Sequence, residues 1–197
     1  MIGELEYCLE PEAGAKYRII NNRYDGQRLL FVKLPCGVDC SDRRSHYSYL
    51  ATAASFNLGA GCAVILAENH GDHLSRKYDT EIIRQCEKGH IYGIRDYRFI
   101  GGGEGATLGL SHLCRQIDFR KMLLINMPLS YRLGETVELL SDVDRRRLTF
   151  VYGDRSPSFR YTPLLRRLYA DMVTVKGADQ DFTGMAEEFR ALYRWLL

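Results

Sequence analysis

The stretch Phe99-Ile100-Gly101-Gly102-Gly103-Glu104-Gly105-Ala106-Thr107-Leu108-Gly109 carries the densest chemical signal in the chain. An apolar strand pattern runs straight into a glycine-rich turn and out into a helix pattern. Such a turn presents its central residue, and the backbone N–H groups of the helix start, at the end of a sheet. Two chemistries use it. Glycines spaced as Gly101-x-Gly103-x-x-Ala106 let a pyrophosphate approach a helix N-terminus. That arrangement belongs on the first strand of its unit and wants an acidic residue near the end of the next strand, where this chain has Asn126 and Met127. The other chemistry places a nucleophile at the centre of the turn, and the residue there is Gly103, which has no functional atom. Moving the register to Gly105-Ala106-Thr107-Leu108-Gly109 makes Thr107 the central residue but demands a strand through three glycines that favour a turn.

Other reactive side chains are scattered. Glu104 stands in the first turn of the helix, where the macrodipole favours a carboxylate; with Asp179, Gln180 and Asp181 it sketches an acidic, hydrogen-bonding cleft. Cys36, in Leu34-Pro35-Cys36-Gly37, has no activating partner in sequence and reads as a buried structural thiol. Cys36, Cys40, His46, His70 and His73 lack the spacing of a zinc finger, so no metal is expected. The five histidines are His46, His70, His73, His90 and His112, and none follows residue 112.

The elements that must position these residues follow from hydrophobic patterning. Short apolar runs rich in β-branched and aromatic residues predict strands at Tyr17–Ile20, Leu29–Val32, Ala63–Leu66, Tyr97–Ile100, Met122–Ile125, Leu148–Tyr152 and Met172–Val175. Helix-length stretches lie at Arg44–Phe56, Arg76–Lys88, Glu104–Arg115, Pro163–Tyr169 and Met185–Leu196; in the last, Phe182, Met185, Phe189, Leu192 and Leu196 recur at helical steps. Strands apolar almost throughout and separated by helices imply a mostly parallel, doubly wound α/β sheet of about seven strands, with helices on both faces. The first two strands are joined by Asn21–Arg28, with Asp25-Gly26 turn chemistry, which predicts an antiparallel hairpin at the start.

At the glycine turn the chain resembles the α/β-hydrolase family, whose nucleophile elbow is Gly-x-Ser-x-Gly between a strand and a helix. Gly101 and Gly105 match the flanking glycines, and Gly103 stands in place of the serine. The resemblance runs from about Leu29 to Leu197. Val151-Tyr152-Gly153-Asp154-Arg155-Ser156-Pro157 is similar to the family's strand-end acid motif, with Ser156 for the acid, and Val175-Lys176-Gly177-Ala178-Asp179-Gln180-Asp181-Phe182 to the late histidine loop, with Gln180 for the histidine. The resemblance therefore implies a degenerate triad and a non-catalytic chain, using the former cleft for an unidentified small ligand or protein partner. Candidate cleft residues are Pro35, Cys36, Gly37, His70, Gly102, Gly103, Glu104, Asn126, Gln180 and Asp181. The alternative is a hydrolase or acyltransferase with relocated chemistry built on Cys36, Glu104 or a bound metal. Leu129–Asp144 leaves space for one helix and no lid domain.

Composition sets the remaining bounds. A chain of 197 residues with 46% hydrophobic and 26% charged residues suits one soluble domain, residues 1–197. The net charge is +2, from 27 basic and 25 acidic residues that are interleaved, which argues against nucleic acid as a partner. The run Arg145-Arg146-Arg147, and Arg166, Arg167, Arg190 and Arg194, read as solvated faces, with a subunit interface at the last four as the alternative. No window suits a membrane span, and Met1–Glu6 lacks signal-peptide character, so a cytoplasmic protein without cofactor is expected, its oligomeric state open. The six cysteines have no disulfide-framework spacing and read as free, mostly buried thiols.

Overall fold

Along the central strands, successive residues are buried on opposite faces of one sheet. The computed structural model describes residues 7–9, 16–20, 27–58, 62–69, 73–89, 93–129, 133–168 and 171–197. Among these lie the strands β1 (Tyr7–Leu9), β2 (Tyr17–Ile20), β3 (Arg28–Cys36), β4 (Cys62–Asn69), β5 (Asp96–Gly102), β6 (Phe119–Ile125), β7 (Leu148–Gly153) and β8 (Met172–Val175). The helices are α1 (His46–Leu58), α2 (His73–Gly89), α3 (Glu104–Ser111), α4 (Leu133–Ser141), α5 (Thr162–Leu168) and α6 (Ala186–Arg190), with short 3-10 turns at Leu113–Arg115 and Ala191–Leu196 among others.

The strands form one sheet in the order β1-β2-β4-β3-β5-β6-β7-β8. It begins antiparallel (β1 with β2, β2 with β4) and is parallel from β4 through β8. The expected sheet class and its antiparallel start hold. The neighbour of Tyr17–Ile20 differs from the expected hairpin partner: both edges of β3 are taken by β4 and β5, and β2 adds to the outer edge of β4. The Asp25-Gly26 turn lies outside the described residues. The extra strand is β1, three residues too short to carry a readable pattern.

Leu29 and Phe31 face one core with Ile83 of α2, Leu110 of α3, Leu140 of α4 and Leu165 of α5. Leu30, Val32 and Leu34 face the other, with Leu50 and Ala54 of α1 and Phe189 of α6. This period of two along a strand buried on both sides is what covering helices require. The helix expected at Leu129–Asp144 is α4. The stretches expected as helices at Glu104–Arg115 and Met185–Leu196 each finish in a 3-10 turn, yet Phe182, Phe189, Leu192 and Leu196 are buried as their spacing implied.

Two buried charge clusters brace the sheet. Lys33 points toward α2, where Nζ donates to Asp79 Oδ1 at 2.9 Å and to the Glu68 carbonyl at 2.8 Å, while Tyr17 Oη donates to Asp79 Oδ1 at 3.0 Å. Lys33 is 0% and Asp79 1% exposed. Burial pushes the Asp79 carboxyl above its ordinary value, against the pull of the Lys33 ammonium. At the opposite end of the strands, Arg98 forks onto Asp96 at 2.6 and 3.0 Å and donates to the Leu196 carbonyl, tying the last turn to β5. Arg145, Arg146 and Arg147 lie at the surface, with Asp144 accepting from the Arg146 backbone and guanidinium, and Arg166, Arg167, Arg190 and Arg194 are exposed.

Candidate functional site

At the end of β5 the chain reverses into α3 through Gly103, whose φ is 51°. Its N–H donates to the Ile125 carbonyl at 2.9 Å, pinning the turn to the end of β6. The glycines around it serve different purposes. A Cβ on Gly105 would lie 2.6 Å from both the Lys33 and Leu34 carbonyl oxygens, and one on Gly101 would lie 2.5 Å from the Ala106 Cα. These two must be glycine for α3 to sit on β3 and β5. A Cβ on Gly103 meets only Pro35 Cβ, at 3.4 Å. The central position thus has room for a side chain, and only its positive φ favours glycine. Thr107 is 6% exposed in the body of α3, away from the presented position of the turn, so the shifted register does not supply a nucleophile.

Ser156 and Gln180 meet: Ser156 Oγ donates to Gln180 Oε1 at 2.9 Å. Gln180 Nε2 in turn donates to the Asn126 carbonyl at 3.1 Å, and Asn126 Nδ2 donates to the Gln180 and Asp179 carbonyls at 2.7 and 3.1 Å. Asn126 takes a φ of 46°, and its Oδ1 accepts from the Gly153 N–H at 3.0 Å, joining the ends of β6 and β7. Every group in this knot is neutral.

A cavity of about 190 Å³ opens above the turn. Of the candidate cleft residues, Pro35, Gly103, Gln180 and Asp181 line it, together with Val38, Ser45, His46, Tyr47 and Phe189. The other expected residues Cys36, Gly37, Gly102, Glu104 and Asn126 do not line it, and His70 lies outside the described residues. Gly37 instead serves the turn Pro35–Val38, with φ 82° and the Val38 N–H on the Pro35 carbonyl at 3.3 Å. Asp179 turns its carboxylate back on its own loop, accepting from the Asp181 and Thr183 N–H groups at 3.0 and 2.9 Å. His46 and Tyr47 head α1 and pack on the Phe189 ring at 5.5 and 5.0 Å between centroids. Nothing in sequence links them: His46 and Tyr47 fall at the start of the helix-length stretch Arg44–Phe56, and Phe189 falls on the apolar spacing of the last one, far along the chain. The His46 Nδ1 lies 3.3 Å from the Asp181 carbonyl, which can only accept, so in the neutral ring the proton sits on Nδ1 and Nε2 is the acceptor.

A glycine elbow between the fifth and sixth of eight strands, with serine and glutamine in contact at the ends of the next two, can be set against solved structures. By sequence, the chain matches no family model and no curated protein. By structure it is similar to Est1E from Butyrivibrio proteoclasticus, with a TM-score of 0.69 over 96% of each chain at 10% identity. The α/β serine hydrolase homologue from Coxiella burnetii gives 0.66 at 14% identity, covering 98% of this chain and 96% of that one. The protein XC6422 from Xanthomonas campestris, an α/β serine hydrolase without lid, gives 0.59 at 14% identity, covering 98% and 95%. The chain has the α/β-hydrolase fold. At such identities the likeness carries the fold and no activity.

Cys36 is exposed at the end of β3, not buried as expected, because the chain turns outward at Gly37. Cys40 and Cys62 are buried, Cys86 and Cys114 half-buried, and none of these five is in a disulfide; burial pushes the Cys62 thiol up to about 12. Cys36, Cys40 and His46 do not converge; the Cys40 thiol lies instead within 4.8 Å of the Asp39 and Glu68 carboxylates, where Glu68 Oε1 already accepts the Cys40 N–H. A more voluminous depression, about 660 Å³, lies between α2 and the turn after α3, lined by Lys77, Glu81, Arg84, Lys88, His112 and Gln116. It is a wide-open polar groove without the elbow, and the smaller cavity is the stronger candidate. No helix among the described residues is long and apolar enough to cross a membrane.

The loop that carries Gln180 and Asp181 depends on Asp179. Hydrogen bonds from Thr183 hold the Asp179 carboxyl below its ordinary value of 3.8. A depressed carboxyl contributes order above its unfolded value and loses it as pH falls through the folded one. The protection factors of the Asp181 and Thr183 amides are therefore expected to drop on acidification from about pH 5 to below the folded value, and to be low throughout in Asp179→Ala. Protection that is unchanged in the variant would mean that the loop is held from elsewhere.

Proposed function

We propose that this chain is a non-catalytic protein of the α/β-hydrolase fold that binds a small ligand or a protein partner in the cavity above Gly103. The observation that carries the reading is the neutral knot of Ser156, Gln180 and Asn126 behind an elbow whose central residue has space for a side chain and carries none. Serine-hydrolase chemistry needs a nucleophile, a base to take its proton and an acid to hold the base. Gly103 offers no hydroxyl, an amide does not titrate, and a serine hydroxyl supplies no charge to stabilise an imidazolium.

Hydrolysis of 4-nitrophenyl acetate tests this. The natural protein and Gly103→Ser are expected to be inert, and the Gly103→Ser, Ser156→Asp, Gln180→His triple variant to turn over, since positions 156 and 180 are already within hydrogen-bond reach. Turnover by the natural protein would overturn the reading.

One observation favours a second reading, relocated hydrolase or acyltransferase chemistry: His46 lines the cavity with its Nδ1 proton fixed on the Asp181 carbonyl and Nε2 available as a base. On that reading the natural protein hydrolyses the ester, and His46→Ala lowers the rate about 100-fold or more.

A further inference from the structure

The lining of the elbow cavity is unbalanced in charge and in hydrogen-bonding sense. Asp181 is exposed at its rim, and no described residue makes an ion pair or hydrogen bond to its carboxylate. Among the described residues, neither lysine nor arginine lines the cavity. The His46 Nδ1 proton is committed to the Asp181 carbonyl, so Nε2 of the neutral ring is an acceptor facing the same space. The Asp181 charge also reaches Tyr47, whose hydroxyl is held protonated chiefly by burial and then by that carboxylate. Of the helix starts beside the cavity, that of α3 has the Glu104 carboxylate in its own first turn, and that of α1 lies against the loop that carries Asp181. Pro35, Val38 and the Phe189 ring make up an apolar wall, and Tyr47 and Phe189 present aromatic surface of the kind that attracts a cation.

We infer that the cavity selects a small ligand carrying a protonated amine on an apolar body, with the ammonium between the Asp181 carboxylate and His46 Nε2 and the body against Pro35, Val38 and Phe189. A volume of about 190 Å³ suits a molecule of roughly the size of a substituted benzene. A carboxylate of the same shape is repelled by Asp181 and meets no lysine or arginine among the described lining residues. The inference rests on the proposed use of the cavity for ligand binding and specifies what enters it.

Three shape-matched probes, benzylamine, benzyl alcohol and benzoate, separate the possibilities when titrated into the intact protein and followed by amide chemical shifts. Benzylamine is expected to bind most tightly, with shifts at Gly103, His46 and Gln180. Asp181→Asn, at an exposed position that carries no structural bond through its carboxylate, is expected to weaken benzylamine about three- to fivefold and to leave benzyl alcohol unchanged. Added salt should weaken the amine alone. Benzyl alcohol or benzoate binding the cavity as tightly as benzylamine, or an Asp181→Asn variant with undiminished amine affinity, overturns the inference while leaving the cavity a ligand site. Absence of cavity shifts with all three at millimolar concentration overturns both.

Discussion

Asp79→Ala is expected to destabilise the protein by about 3–5 kcal/mol in urea unfolding, more than any surface charge change. The reason is the company Asp79 keeps. Lys33 has no exposed surface, and its ammonium would lose its counter-charge and keep only the Glu68 carbonyl; the Tyr17 hydroxyl would lose its acceptor as well. The cost is that of a stranded buried charge and is distinct from the net worth of the pair, which a second variant separates. Replacing all three polar groups, Tyr17→Phe with Lys33→Met and Asp79→Leu, removes the ammonium, its counter-charge and the tyrosine hydroxyl together. That variant is expected to recover to within about 1–3 kcal/mol of the natural protein. An Asp79→Ala loss below about 1 kcal/mol would show that water reaches Lys33.

The second large effect separates the glycines of the elbow. Gly105→Ala is expected to cost about 3 kcal/mol, near the top of the usual range for overpacking, because the new methyl would sit 2.6 Å from two backbone carbonyls of β3 that cannot rotate aside. Gly103→Ala meets no atom closer than 3.4 Å and carries only the penalty of a strained positive-φ backbone, about 1–2 kcal/mol, within the range of about 1–3 kcal/mol usual for such positions. Urea unfolding of the two variants should therefore rank position 105 as the more sensitive, although position 103 is the one that chemistry would single out. The reverse order would mean that α3 does not pack on β3 as described. The same contrast makes Gly103→Ser a foldable starting point for the hydrolysis test.

Much of this was legible in the residues themselves. β-branched runs predict β4 through β8 to within a few residues, because a strand covered on both faces must be apolar at every position and nothing else of that length is. Gly101 and Gly105 are legible because close approach of helix to sheet admits only hydrogen at those Cα atoms. Less visible were features without a local signature. β1 is too short to show a period. The last helix tightens into a 3-10 turn at Ala191–Leu196, whose end Arg98 holds from the distant strand β5. Cys36 looks apolar in its neighbourhood and is exposed only because Gly37 turns the chain away from the sheet.

By itself, the sequence determined the α/β class, the mostly parallel order of strands between helices and the glycine elbow, since these depend on periodicity and backbone freedom. Tertiary structure alone decided which strand β2 would join, that Lys33 and Asp79 would share a dry site, and that His46 would meet the Asp181 carbonyl across 135 residues of chain. Those outcomes come from the order of strands in the sheet. Pairing and burial between distant segments leave no periodic trace in either one, so the composition of the cavity becomes readable only when the sheet has closed beneath it.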